Sequence, residues 1–357
     1  MRLPKVKPPH APHRFDDGTI RIGGELYGLA AEIMDRHGWI WDALAMMNGR
    51  TPVDLIAERL SQRYDRLARS QAERLIAELI ATGYIEDAAL DGAEVLSADE
   101  LERYSRNIAY FRYVDLRPGS SPYTAQRRLR DARVVVVGIG GVGTHVAWAL
   151  SAAGIGSLHL VDPDRVEPSN LSRQMLFDER DVGGYKAEVA ARRLEHVNST
   201  GDYTFRIQLA DSEEKLFEAV RGCDVLALCA DEPRNGEIAT MASRACHRAG
   251  LPWVRGGYNG PLVTVGVYSP EGPCVECMSL AEQSVLKHGW MPDMRGQGAL
   301  STTAGLAGGL LAHEVISLIT GTGAAAPGHV RGINLVTPDE AIYVRHPARP
   351  DCSLCRP

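Results

Sequence analysis

Asn170, Arg173, Gln174 and Lys186 bring two amides and two cations into one short stretch of this chain. They follow a segment reading VVVVGIGGVG at 134–143. Gly138, Gly140, Gly141 and Gly143 let a backbone approach a phosphate without a Cβ clash. A helix opening inside that run would aim free amides at the anion. Asp162 closes the next apolar run, LVDPD, where an acid binds ribose hydroxyls. A bound NAD would use the glycines and that acid. It has little use for four further phosphate ligands. A triphosphate displaced at its α-phosphate does, because charge concentrates on the transition state and the departing pyrophosphate. Asp231, in LALCADEP, follows another apolar run and could hold Mg²⁺ bridging phosphates.

A second group of residues has metal chemistry. Cys274 and Cys277 form PCVEC, and Cys352 and Cys355 form DCSLC. Two C-x-x-C knuckles read as a four-thiolate structural Zn²⁺ site. Their separation exceeds a zinc ribbon, so the metal would pin the tail to the domain. Cys223, Cys229 and Cys246 are expected to be small core residues.

These groups need elements to hold them. Val134–Val137 is the β-branched run of a buried parallel strand. A βαβ unit should begin at Arg133, with strands at 157–162, 204–208 and 224–228 and helices near 185–197 and 235–249. Residues 252–268 should be extended. Alternating strands and helices imply a largely parallel sheet covered on both faces. Ahead of it, TIRIGGELYGL at 19–29 suggests a hairpin turning at Gly23 and Gly24. One helix should open at Thr51 as cap, with Pro52 and Asp54 in its first turn. A second should open on a Ser70–Glu73 capping box, carry Leu75, Ile76, Leu79 and Ile80 inward, and stop at Gly83. Residues 86–96 read as a linker, and Ser97–Glu100 as a capping box for a helix through LERYSRNI.

The chain has 357 residues, 45% hydrophobic, with a formal net charge of −6. That balance argues against nucleic-acid binding. Arg127, Arg128, Arg130 and Arg133 read as a solvated face. The basic, proline-rich start lacks the apolar segment of a secretory signal. Residues 299–320 are apolar, but His313 and Glu314 suit a packed core helix better than a membrane span. The expectation is a cytoplasmic protein without a membrane partner.

VGIGGVG, LVDPD, NLSRQ, Lys186, Asp231 and the paired knuckles resemble the ThiF/MoeB-type adenylating superfamily, which includes the ubiquitin-activating enzymes, over residues 97–357. ERYSRNI at 102–108, SAAGIGSLHLVDPD, NLSRQMLFDERDVG and DCSLC are most similar to its microcin C biosynthetic peptide adenylyltransferase branch. The resemblance implies an α/β fold. A doubly wound, largely parallel Rossmann-like sheet with the zinc site (93–357) would follow a small winged-helix-like, leader-peptide-clamping domain (1–92). It implies that Gly138, Gly140, Gly141, Gly143 and Asp162 hold ATP. Asp164, Asn170, Arg173, Gln174 and Lys186 would surround the triphosphate, with Mg²⁺ on Asp231. Arg106 matches an arginine supplied across a homodimer. The implied reaction is attack by a C-terminal carboxylate of a precursor peptide on the α-phosphate, giving an acyl adenylate and pyrophosphate. A peptide–nucleotide conjugate could follow.

The N-terminal likeness to a peptide clamp rests on NGRTPVDLIAERL and AERLIAELIATGYIED. Two departures bear on the branch. Ala230-Asp231-Glu232 stands where sulfur-carrier activators have Thr-Asp-Asn, and no cysteine lies between 278 and 303 to form a thioester. The rival readings are activation of a ubiquitin-like sulfur carrier, a non-catalytic leader-binding adaptor, and an NAD-dependent oxidoreductase.

Overall fold

The four valines at 134–137 lie in the middle strand of the five-stranded parallel part of an eight-stranded sheet, each at most 1% exposed. Burying each contributes roughly 1.5–3 kcal/mol. The computed structural model describes the whole chain apart from residues 25–28, 91, 234–236, 286–297, 324–325, 338, 340, 353 and 356–357, and gives only the backbone of 93 and 282–285. The chain divides into two compact units, Met1–Arg127 and Arg128–Pro357.

In the first unit, β1 (Pro4–Val6), β2 (His13–Arg14), β3 (Thr19–Ile22) and β4 (Ala31–Met34) precede three helices. These are α1 (Trp39–Met46), α2 (Val53–Arg63) and α3 (Arg69–Ala81). Then come β5 (Ile85–Asp87), α4 (Ala98–Arg103), α5 (Ser105–Val114) and α6 (Pro122–Asp131), which straddles the division. β1 pairs with β5, while β2, β3 and β4 form an antiparallel meander. The core joins Ile20 and Ile22 to Leu44, Ile56, Leu60, Ile76 and Leu79.

Local expectations are corrected here. The return strand of the hairpin is β4, beyond the expected 19–29; residues 25–28 of that expectation lie outside the described residues. Thr51 does not cap α2: Pro52 occupies that position, with no side-chain cap bond. α3 opens at Arg69, because the Gln71 side chain accepts the Ala68 N–H at 2.9 Å and displaces the Ser70–Glu73 arrangement. Gly83 does end that helix. A Cβ there would lie 1.7 Å from the Leu116 carbonyl oxygen. The Ser97–Glu100 box forms in both directions, at 3.3 and 2.8 Å. The helix it opens breaks at Tyr104, which is 4% exposed, and restarts as α5.

The second unit runs β6 (Arg133–Val137), α7 (Gly141–Ala153), β7 (Ser157–Val161), α8 (Lys186–Val197), β8 (Asp202–Arg206) and α9 (Glu213–Val220). β9 (Val225–Leu228), α10 (Glu237–Ala249), β10 (Trp253–Asn259), β11 (Leu262–Tyr268) and α11 (Val275–Val285) follow. It closes with α12 (Ser301–Thr320), β12 (His329–Asn334) and β13 (Ala341–Arg345). The sheet order is β13-β12-β11-β10-β9-β6-β7-β8. The five strands from β10 to β8 are parallel, and β11 to β13 add antiparallel. From β6 the chain winds one way to β7 and β8, then back through β9 to β10. The strand order therefore reverses between β6 and β9, where open α/β sheets bind ligands.

α12 is long and apolar enough by composition to cross a membrane. Half of its apolar window is buried, and it packs on α7, β10 and β11. Its Glu314 is wholly buried and paired with Arg331 of β12.

Candidate functional site

The reversal point opens into a cleft of about 1100 Å³. β6 ends and the chain turns at once into α7. A Cβ on Gly138, whose φ is +90°, would lie 2.5 Å from the Ala230 nitrogen. A Cβ on Gly143 would lie 1.9 Å from the Gly138 carbonyl oxygen. Gly143 thus sits beneath the turn, and its bare Cα lets the helix approach the strand. Gly138, Gly140 and Gly141 line the cleft. α7 has no side-chain cap at Gly140, so its first amides stay available to a ligand.

Asp162 follows β7 and is 5% exposed. Its Oδ2 accepts the Ile139 N–H at 2.6 Å and its Oδ1 accepts the Asp164 N–H at 2.8 Å. Burial raises its carboxyl above the usual range, against those hydrogen bonds and Lys186. Each carboxylate oxygen keeps a lone pair for a hydroxyl donor.

The polar set expected from sequence converges on this cleft. Asp164, Asn170, Arg173, Gln174, Lys186 and Asp231 all line it. Lys186 opens α8, and its Nζ lies 2.8 Å from Asp164 Oδ2. Asn170 is 6% exposed and holds the loop by accepting the Glu167 N–H. Arg173 donates to the Ser169 carbonyl oxygen at 3.0 Å. Gln174 is 3% exposed, and its Oε1 has no hydrogen-bond partner among the described residues. Asp231 is exposed on the loop after β9. Arg106 lies in the first unit, exposed on α5.

Sequence reasoning missed the far wall. Arg255 and Tyr258 of β10, Thr264 of β11 and Gln208 line the same cleft. The GG pair at 256–257 was their signal, since glycines within a strand mark close approach or a ligand floor. Cys229, expected in the core, instead borders the cleft, with its thiol pushed far up by burial. Cys246 is fully buried in the core, and Cys223 packs against it half-buried.

Cys274, Cys277, Cys352 and Cys355 are all buried, with their sulfurs within 4.8 Å of one another. Individual Sγ–Sγ distances are 3.8, 3.6, 3.3 and 3.8 Å. Tetrahedral Zn²⁺ with bonds of about 2.3 Å needs sulfurs about 3.8 Å apart. The cluster fits zinc.

The ThiF family model matches residues 104–354. This chain belongs to the ThiF family. A SAMP-activating enzyme E1 from Haloferax volcanii is 32% identical over 266 residues, covering 73% of this chain and 90% of that one. The molybdopterin-synthase adenylyltransferase of Escherichia coli is 31% identical over 266 residues, covering 73% and 98%. The chain spans 66% of bovine adenylyltransferase and sulfurtransferase MOCS3, at 31% identity over 317 residues. Escherichia coli MccB shares the fold with a TM-score of 0.78 at 23% identity, over 100% of this chain and 97% of that one. Its structure with ATP gives 0.74 at 24%, over 99% of each. The chain is an ATP-dependent adenylyltransferase of the ThiF family.

Proposed function

We propose that this enzyme adenylates the C-terminal carboxylate of a ribosomally made precursor peptide. The observation that carries the reading is the meeting of the glycine turn, Asp162, Arg173, Lys186 and Asp231 in one cleft, in a chain with an N-terminal unit mostly outside the family match. MccB matches the whole chain in fold and was solved with MccA together with AMPCPP, and with MccA-N7isoASN.

In this reading the amides of Gly140 and Gly141 face the phosphates and Asp162 accepts the ribose hydroxyls. Asn170, Arg173, Gln174 and Lys186 neutralise the triphosphate, with Lys186 exchanging Asp164 for phosphate oxygen. The orphaned Gln174 Oε1 suits a site completed by ligand. A carboxylate oxygen of the peptide forms a bond to the α-phosphorus. The bond to the bridging oxygen breaks, and pyrophosphate leaves with that electron pair. Mg²⁺ held by Asp231 would offset charge on the phosphate oxygens. The four cysteines would hold one structural Zn²⁺. The meander edge at β4 could receive a leader peptide as an added strand. Arg106 would act in the second site of a cytoplasmic homodimer.

The test is mass spectrometry of short peptides encoded beside this gene, incubated with the enzyme and ATP. A mass increase or peptide-dependent pyrophosphate exchange supports the reading. Exchange driven only by a diglycine-ended carrier protein would replace it. That second reading draws on the relatives named for molybdopterin synthase and SAMP.

A further inference from the structure

Arg255 is half-buried on β10 and lines the cleft. Its side chain makes no hydrogen bond or ion pair among the described residues, although Asp231 and Glu232 border the same cavity. A guanidinium partly removed from water loses solvation that only an anion or several acceptors restore.

The register shows what surrounds it. Arg255 stands opposite Gly266 of β11, and Gly266 opposite Val330 of β12. Gly257, two residues on, shares its face of the sheet. The arginine therefore has open space on the Gly257 side, where an added Cβ would meet nothing within 4 Å. Tyr268 walls one side, backed in the core by Trp253, with rings stacked 4.4 Å apart. The Tyr268 hydroxyl lies over Gly266 and donates to the Met278 sulfur at 3.1 Å. Arg255 pairs with Leu228, at the carboxyl end of β9, just before the Asp231 loop. The cationic set around the glycine turn approaches from the other side, beyond β6.

We propose that Arg255 is a specificity-determining residue that binds a carboxylate of the acyl substrate, in a pocket whose other walls include Tyr268, Met278 and Val330. The inference rests on the peptide-activation reading above. The carboxylate has two sources, the reacting terminus or an acidic side chain of the last residue. A paired guanidinium–carboxylate contact serves either, because both oxygens can be held at once.

The probes are N-acetyl dipeptides ending in Asp, Asn, Glu, Gln or Ala, with pyrophosphate exchange measured on the full chain. Side-chain recognition predicts that the wild type prefers Asp or Glu over the isosteric amides by at least about tenfold in kcat/KM, and that Arg255→Gln erases the preference. Recognition of the reacting terminus predicts instead that Arg255→Gln raises KM for every probe alike, by about tenfold or more. Either way KM for ATP stays unchanged and Arg255→Lys recovers part of the loss. Melting midpoint and ATP binding check that both variants fold. Unchanged KM for all probes in Arg255→Gln overturns the inference while the peptide reading stands. A wild type that binds ATP yet turns over neither these probes nor the longer peptides encoded beside the gene sinks that reading and this inference with it.

Discussion

Lys186 and Asp164 are joined twice, backbone to backbone and side chain to side chain. The Lys186 N–H donates to the Asp164 carbonyl oxygen at 2.9 Å, and Nζ meets Oδ2 at 2.8 Å. The lysine side chain is 9% exposed and the aspartate 61%. The aspartate thus parks a cation at the cleft while remaining open to water. Such a half-exposed pair contributes about 1 kcal/mol or less to stability.

Lys186→Ala should therefore leave the melting midpoint nearly unchanged and lower pyrophosphate exchange about 10²- to 10³-fold. Asp231→Ala should do the same. Near-normal exchange in both variants refutes the phosphate-site assignment.

The glycine turn separates folding from binding. Gly143→Ala forces a Cβ against the Gly138 carbonyl and should cost about 1–3 kcal/mol or more in denaturant unfolding. A Cβ on Gly140 meets no protein atom closer than the Gln174 Nε2 at 4.0 Å. Gly140→Ala should keep its stability and lose affinity for ATP. Equal stability in the two variants contradicts this division.

Burying Asp162 raises its carboxyl above the ordinary value of 3.8. The folded chain then holds the proton more tightly than the unfolded one. Stability from this group is fully present below 3.8 and falls as pH rises through the folded value. Asp162→Asn removes that dependence. The unfolding free energy of Asp162→Asn relative to wild type should rise with pH across this acid window. A flat difference shows that Asp162 does not titrate as its burial implies.

The cysteine cluster predicts bound metal. Elemental analysis should find about one zinc per chain. Cys274→Ser should release it and lower the melting midpoint. Unchanged zinc content in that variant removes the assignment.

The sequence exposed the near wall of the cleft because its polar residues follow β7, the strand after the glycine turn, within a short stretch of chain. Asn170, Arg173, Gln174 and Lys186 reach the cleft wherever β6 and β7 pair. Arg255 and Tyr258 were legible only as neighbours of the glycine pair at 256–257. One residue of register decides which face of β10 each occupies, and only the pairing with β9 and β11 fixes it. The opening of α3 failed similarly. Gln71 and Glu73 both fit a capping pattern, and the hydrogen bond to Ala68 chose between them. β6 and β9 were readable as short apolar runs and β11 as part of the extended 252–268 segment; β12 and β13, mostly half-buried or exposed, lack that pattern.

Cys277 and Met278 are consecutive, and Met278 forms part of the cleft wall through its contact with Tyr268. A member of the cysteine cluster and a cleft-lining side chain thus share one turn of α11, while the other half of the cluster comes from Cys352 and Cys355. Any metal held by those thiols would tie the end of the chain to the wall of the cleft, so losing it would be felt at both.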